Sequence, residues 1–460
     1  MIRGLSPRAA PCHDRSDRTE GDAMAYSVDQ MLERGGAGPF QARLLAIFGL
    51  VWAADAMQVL AVGFSAASIA AHFGLTIPQA LQTGTLFFLG MFVGASLFGR
   101  MADRFGRRRV LFLTVMCDAI FGLASVFAND FTLLLVLRFL TGAAVGGTLP
   151  VDYAMMAEFL PPRSRGRWLV WLEGFWAVGT IVIAATAWAC ALAGSEQTWR
   201  WIFAVAAFPA LIGIWLRLWV PESPMFLLRQ GNEAGARAVV NKVLVTNGQP
   251  PMGADERLVA PPMPQGRAGL FRPQMLRTTI AVLALWFLVS VSYYGVFIWL
   301  PSRLATEGFG FVKGYGFLLA LAVAQLPGYA LAAWGVERWG RRPTLQLFLL
   351  MAAAGCLAFT LVQSPLAVAA ALLVMSFALL GTWGALYAFT PELYPTTLRG
   401  TGMGLASATA RLGGLLAPSL LAAVIVRDFG LAIGVFAGLL ALAAVVTLAI
   451  RHETRAEAIG

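Results

Sequence analysis

Charge is scarce in this chain: only 13% of its 460 residues are Asp, Glu, Lys or Arg. A soluble domain carries about twice that share on its surface, so an ordinary water-soluble fold is excluded. Histidine is rarer still, with 3 copies, and the 4 cysteines (Cys12, Cys117, Cys190, Cys356) are scattered without a CxxC pair. That spacing supports neither a metal cluster nor a disulfide framework, so no metal and no cofactor are expected. No GxxxxGK[ST] loop occurs, which argues against ATP-driven pumping. The chain also opens without a long apolar run. Residues 1–40 begin polar and arginine-bearing and read as an unstructured cytoplasmic tail with no cleaved signal.

What is abundant is apolar: 58% of residues are hydrophobic and the mean hydropathy is +0.72. Spans long enough to cross ~30 Å of hydrocarbon fall near 43–72, 79–99, 110–128, 131–157, 168–193, 199–220, 278–302, 313–336, 344–362, 365–390, 400–425 and 429–450. The net charge of +10 does not read as nucleic-acid binding, because the arginines sit in short gaps between spans instead of coating one face. About 28 of the 34 Lys and Arg fall on the side of the amino terminus, which makes that side, and both termini, cytoplasmic.

The densest of these loops is GRMADRFGRRRV, residues 99–110, with five arginines, one aspartate and two glycines. Topology alone explains the arginines but not the glycines or the aspartate. The pattern returns as WGVERWGRRPT, residues 334–344, after a gap of about 236 residues, and AEFLPPRSRGRW (157–168) is echoed by PELYPTTLRGTG (391–402) at a nearly equal interval. Two motifs repeating at one offset imply two homologous six-helix halves. The expected organisation is a tail over 1–40, halves over 41–220 and 278–450, a cytoplasmic linker over 221–277 and a second tail over 451–460. Paired halves are an alternating-access device.

The chain resembles a major facilitator superfamily transporter along its length after residue 40. Gly99, Asp103, Arg104, Gly106, Arg107 and Arg108 resemble the signature loop between helices two and three. The resemblance implies that the first glycine lets two helices approach, and that the charges latch against the other half. Arg167, Glu337, Arg341, Glu392 and Arg399 extend that gating set. Arg138 in LRFLTGAAVGG resembles the intramembrane arginine of helix four; its second-half counterpart is absent, since 371–380 read ALLVMSFALL. PESPMFLL, from 221, resembles the segment after helix six in sugar porters. FQARLLAIFGLVWAADAMQVLAVGF and GGTLPVDYAMMAEFLPPRSRG resemble the branch holding synaptic vesicle glycoproteins, bacterial niacin transporters and organic anion and cation transporters. That likeness implies a metabolite:proton symporter of a bacterial inner membrane.

Charges at depth carry the chemistry, because an unpaired charge at the bilayer centre costs ~2.5–3.5 kcal/mol or more. Asp55 lies about 12 residues into the first span, ~18 Å deep, with Gln58 on the same face. Burial favours a neutral carboxyl and a nearby guanidinium an ionised one; this competition makes Asp55 a proton-coupling candidate, with Arg138, Asp152 and Glu158. A permanent packing ion pair is the alternative use of Asp55. Asp118 and Glu173 read as parts of a charged network with Arg163, Arg165 and Arg167. Arg411, about 11 residues into the eleventh span and ~17 Å deep, needs an anion: a substrate carboxylate or Asp55. Trp286, Tyr293, Tyr294, Trp383 and Tyr387, with Gln325 and Gln58, offer a substrate surface, although aromatic stripes also serve as packing. Gly142, Gly146 and Gly147 allow close helix packing, and Pro150, Pro327 and Pro418 allow bends.

The expected function is proton-coupled uptake of a small organic anion, such as nicotinate or an aromatic carboxylate, by a monomer in contact with lipid. The alternatives are an organic cation carrier, a drug:proton exporter, and a receptor or scaffold that does not transport.

Overall fold

The computed structural model describes residues 24–208, 219–259, 269–307, 314–394, 396–420 and 428–450. The first half is built from α2 (Pro39–Phe73), a short α3 (Ile77–Ala80), α4 (Gln82–Phe105), α5 (Arg107–Val126), α6 (Phe131–Ala157), α7 (Arg165–Leu192) and α8 (Thr198–Ala207). Proline in its first turn and Gly74, at φ 65° and ψ 35°, bound α2, as helix start and stop chemistry requires. The second half holds α11 (Pro273–Glu307), α12 (Tyr315–Val323), α13 (Gln325–Arg338), α14 (Arg341–Leu361), α15 (Pro365–Phe389), α16 (Thr396–Leu420) and α17 (Phe429–Val446). Among the described residues ten helices are long and apolar enough to cross a membrane. The other two expected spans, 199–220 and 400–425, are described as helix in part. One is described over Thr198–Ala207; the other, Thr396–Leu420, has the length but is diluted by Gly, Ser, Thr and Arg411.

The two arginine motifs are much tighter than loops. Helix α4 continues through Arg104 and Phe105, and Gly106 alone separates it from α5, at φ 100°. Trp339 and Gly340 separate α13 from α14, with Gly340 at φ 107°. Residues with side chains rarely adopt such angles, and the two glycines stand 234 positions apart (340 − 106). The expected eighth span is divided at Ala324 into α12 and α13, because Pro327 lacks an N–H and its ring crowds the turn before it. Ser376 of α15 donates a hydrogen bond to the Leu321 carbonyl at 2.7 Å, so a neighbouring helix supplies a partner beside the break.

Close approach of helices falls elsewhere than the signature glycine. A side chain at Gly142 or Gly146 of α6 would overlap the backbone of Phe87 or Met91 in α4, and one at Gly90 or Gly94 would overlap Phe139 or Ala143. Glycines on both helices therefore form one seam. At Gly99 an added Cβ would meet nothing within 4 Å, which corrects the expected role of that residue.

Residues 24–40 are also corrected, from tail to folded element. Strand β1 (Met24–Tyr26) pairs in parallel with β2 (Glu256–Leu258), and α1 (Val28–Gly35) begins at a Ser27 capping box. Arg34 Nη1 donates to both carboxylate oxygens of Glu256, at 2.9 and 3.1 Å. Asn247 donates to the Gly36 carbonyl and the Gln41 side chain, at 2.9 and 2.8 Å, and accepts from the Phe40 amide at 3.1 Å. The linker thus holds α9 (Pro224–Arg229) and α10 (Glu233–Thr246), and its far end clasps the start of the chain. The expected tails over 1–23 and 451–460 lie outside the described residues.

Candidate functional site

Six helices from both halves meet around one cavity. Its walls are Trp52 of α2, Glu173 and Trp176 of α7, Tyr293 and Tyr294 of α11, Tyr329 of α13, Leu380, Trp383 and Tyr387 of α15, and Arg411 of α16. Tyr293 meets Trp383 edge to face at 5.9 Å and Tyr387 meets Trp52 the same way at 6.1 Å, while Trp383 and Tyr387 are tilted at 5.8 Å. The space between them is about 20 Å³, room for roughly one water molecule. A ligand of ring size enters only when these rings part.

The two halves touch on both sides of the cavity. Toward the arginine-rich end, the Tyr153 hydroxyl donates to the Tyr387 carbonyl at 3.4 Å. Toward the other end, Tyr315 stacks on Phe64 at 6.4 Å and donates to its carbonyl at 3.3 Å.

The polar atoms of the cavity are mostly unspent. Arg411 is 2% exposed; its Nη1 donates to the Tyr294 hydroxyl at 3.4 Å, while Nε and Nη2 have no hydrogen-bond partner among the described residues. The indole N–H groups of Trp52 and Trp383 and the Oε1 of Glu173 are likewise unpartnered. Four donor atoms and one acceptor thus belong to residues lining a small aromatic space, and buried polar groups ordinarily have partners. By contrast Trp176 donates to the Tyr293 hydroxyl at 2.7 Å.

Several expected site residues sit elsewhere. Gln58 accepts from Arg138 Nη1 through its side chain and from Nη2 through its carbonyl, both at 2.8 Å, and the guanidinium lies between Phe87 and Phe203, at 4.6 and 4.7 Å. That removes Gln58 from the cavity. Trp286 packs behind the wall, 4.7 Å from Tyr387, and donates to Thr390 at 2.9 Å. Gln325 is buried with both amide atoms unpartnered, but it does not line the cavity. Asp55 is 2% exposed and does not line it either, lying within electrostatic reach of Asp118, Asp152 and Arg411. Asp152 is fully buried with neither oxygen hydrogen-bonded. Glu158 is in neither place: it pairs with Arg107 and accepts from Ser223 at the arginine-rich end.

That end carries the gating set. Glu222 accepts the backbone amides of Arg107 and Arg108 at 3.1 and 3.2 Å, closing the start of α5. Arg341 is bonded to Glu392 in the second half. The Arg107–Glu158 and Arg341–Glu392 pairs each lie within one half; the latch expected between halves turns on Asp103. Gly166 of the first half lies against the second of these pairs, its Cβ position 3.9 Å from both Arg341 and Glu392. Arg104 lies over Phe105 and Arg167 over Trp171, at 5.4 and 5.5 Å, and Glu337 is exposed. The side chains of Asp103 and Arg399 lie outside the described residues.

Sequence reasoning missed Glu173, Trp52, Trp176 and Tyr329 as cavity residues. Glu173 was grouped with the nearby arginines, yet Arg163 pairs with Glu33 at 3.0 Å and Arg165 with Asp29 at 2.8 Å. The available signal was depth: Glu173 is the only acidic residue between 159 and 195, inside an apolar span.

Comparison with known proteins agrees with this architecture. The Major Facilitator Superfamily is matched over residues 45–418 and again over 315–459. The chain is 34% identical to the niacin transporter NiaP of Acinetobacter baylyi over 85% of its own length and 89% of that protein's. It is 30% identical to the synaptic vesicle 2-related protein of Xenopus laevis, over 94% of this chain and 81% of that one. Among solved structures, the proton:xylose symporter XylE superposes with a TM-score of 0.74 at 18% identity, covering 91% of this chain and 98% of that one.

Proposed function

The chain belongs to the Major Facilitator Superfamily and is a multi-pass membrane transporter, and from that premise we propose that it imports a small organic anion together with protons. The observation carrying this reading is Arg411, a buried guanidinium with two donor nitrogens unspent in an aromatic cavity between the halves. A carboxylate accepts two parallel hydrogen bonds from such a fork. The flanking rings offer their faces and edges to a flat substrate, and the free indole N–H groups of Trp52 and Trp383 suit its remaining acceptors. An aromatic monocarboxylate of niacin size fits this inventory, and niacin is the cargo in the name of the NiaP relative.

Alternating access then has a physical basis. The halves meet through Tyr153 and Tyr387 on one side of the cavity and through Phe64 and Tyr315 on the other. Release of one contact while the other holds exposes Arg411 to one side at a time. The excess of arginine at the amino-terminal side makes that side cytoplasmic, in a bacterial inner membrane.

One observation favours a second reading, an organic cation carrier: Glu173 lies in the same aromatic wall, and rings with a carboxylate suit a cation. Counterflow into proteoliposomes with niacin, benzoate, nicotinamide and tetraethylammonium decides between them. Exchange of the two acids supports the anion reading, and exchange of the quaternary amine alone supports the other.

A further inference from the structure

Glu173 and Arg411 are the two charged residues of the cavity, and both are almost fully buried, at 3% and 2% exposed. The titratable groups around Glu173 are tyrosines: Tyr293 and Tyr294 of α11, Tyr329 of α13, Tyr387 of α15 and, one step outside, Tyr153 of α6. Helix α2 supplies Trp52 to the wall and keeps Asp55 outside it. Among the described residues no second cation lines the cavity, and the arginines near the start of α7 are engaged with Glu33, Asp29 and the Trp171 ring.

Charge bookkeeping in this space is simple. With no substrate, the guanidinium and the carboxylate of the lining sum to zero, with Asp55 behind the wall also within electrostatic reach of Arg411. An entering organic carboxylate brings the sum to −1, in a buried site where an uncompensated charge is costly. A proton on Glu173 restores zero and turns an acceptor that would repel the substrate into a donor. Resting on the anion reading above, we infer that Glu173 is the group that receives the transported proton, taking it up when an organic anion occupies Arg411. The proton comes from the side to which the cavity is open and binds a carboxylate oxygen of Glu173. It leaves to the opposite side, when the departing anion returns Arg411 to its balancing role. Substrate and proton are thereby obliged to occupy the cavity together, with the aspartates of α2, α5 and α6 outside the exchange.

The test is niacin binding by the purified full-length protein across pH about 6 to 8, where the free carboxylate is ionised throughout. The wild type is expected to lose affinity about tenfold per pH unit, the slope of one linked proton, and to take up a proton from weakly buffered solution on binding. Glu173→Gln is expected to bind with no pH dependence and no proton uptake, while Asp55→Asn keeps the wild-type slope. A Glu173→Gln protein that retains the slope overturns the inference, as does loss of the slope in Asp55→Asn alone. If Glu173→Gln does not assemble, Glu173→Asp keeps the carboxyl one methylene further back. A slope or proton uptake that differs from the wild type's over the same pH range supports the assignment, and an unchanged slope and uptake overturn it. Niacin binding that depends on Arg411 and ignores Glu173 sinks this assignment alone, whereas wild-type protein that binds tetraethylammonium and no acid sinks the anion reading.

Discussion

Arg341 holds Glu392 through two parallel hydrogen bonds, Nε to Oε2 at 2.9 Å and Nη2 to Oε1 at 3.0 Å, and Arg107 pairs with Glu158 in the other half. The offsets are identical: 341 − 107 and 392 − 158 are both 234. The repeat seen in the motifs is thus a repeat of one ion pair at the same end of each half. Its side chains are 18% and 10% exposed in the second half, shielded enough for a fork to hold.

Glu392→Gln is expected to remove the charge from this fork and to cost about 1–3 kcal/mol. Because Gly166 of the first half lies against the pair, the loss should also loosen the contact between halves. A lowered melting temperature in detergent, with faster labelling of a cysteine placed at position 166, checks this. Unchanged labelling would confine the pair to its own half.

The two classes of glycine separate cleanly. Gly142→Ala would push a methyl group into the Phe87 carbonyl of α4, so folded yield and melting temperature are expected to fall. Gly99→Ala meets open space and replaces a poor helix former by a good one, so stability is expected to hold or rise slightly. Thermal melts of the two variants side by side read the difference.

Asn247→Ala removes the side chain that ties α1 and the start of α2 to the linker. At roughly 1 kcal/mol per bond, local opening of residues 24–36 should become some 10- to 100-fold more frequent. Faster tryptic cleavage after Arg34, with an unchanged melt of the membrane helices, is the expected outcome.

How much of this was legible in the chain depends on the range of the interaction. Arg411 could be found by counting residues from a helix end, because depth follows from a fixed rise per residue. Trp383 and Tyr387 could be found because a spacing of four puts them on one helical face. Gln58 misled for a complementary reason: it shares a face with Asp55, but its partner Arg138 is 80 residues away. Glu173 was hidden by proximity, two turns from a loop whose arginines proved to be engaged by Asp29 and Glu33. The folded segment at 24–40 was invisible because its hydrogen bonds run to Asn247 and Glu256, more than 200 residues on, and its own short apolar run does not announce a core.

The guanidinium fork is tested by a conservative change. Arg411→Lys keeps the charge but not the two parallel donors; the loss of a charge-assisted fork costs roughly 1.5–3 kcal/mol, or about 10- to 100-fold in niacin affinity. Nicotinamide binding should change little. Equal losses for acid and amide would mean that Arg411 supports the cavity without touching the carboxylate.

The central claim, that an organic anion is carried at Arg411, is tested most directly by counterflow. Proteoliposomes holding the wild-type protein and preloaded with unlabelled niacin are expected to accumulate labelled niacin transiently, with benzoate competing and tetraethylammonium not. Arg411→Ala protein inserted to the same level is expected to show almost no exchange. Full niacin exchange by Arg411→Ala, or wild-type exchange of the quaternary amine in place of the acids, would contradict it.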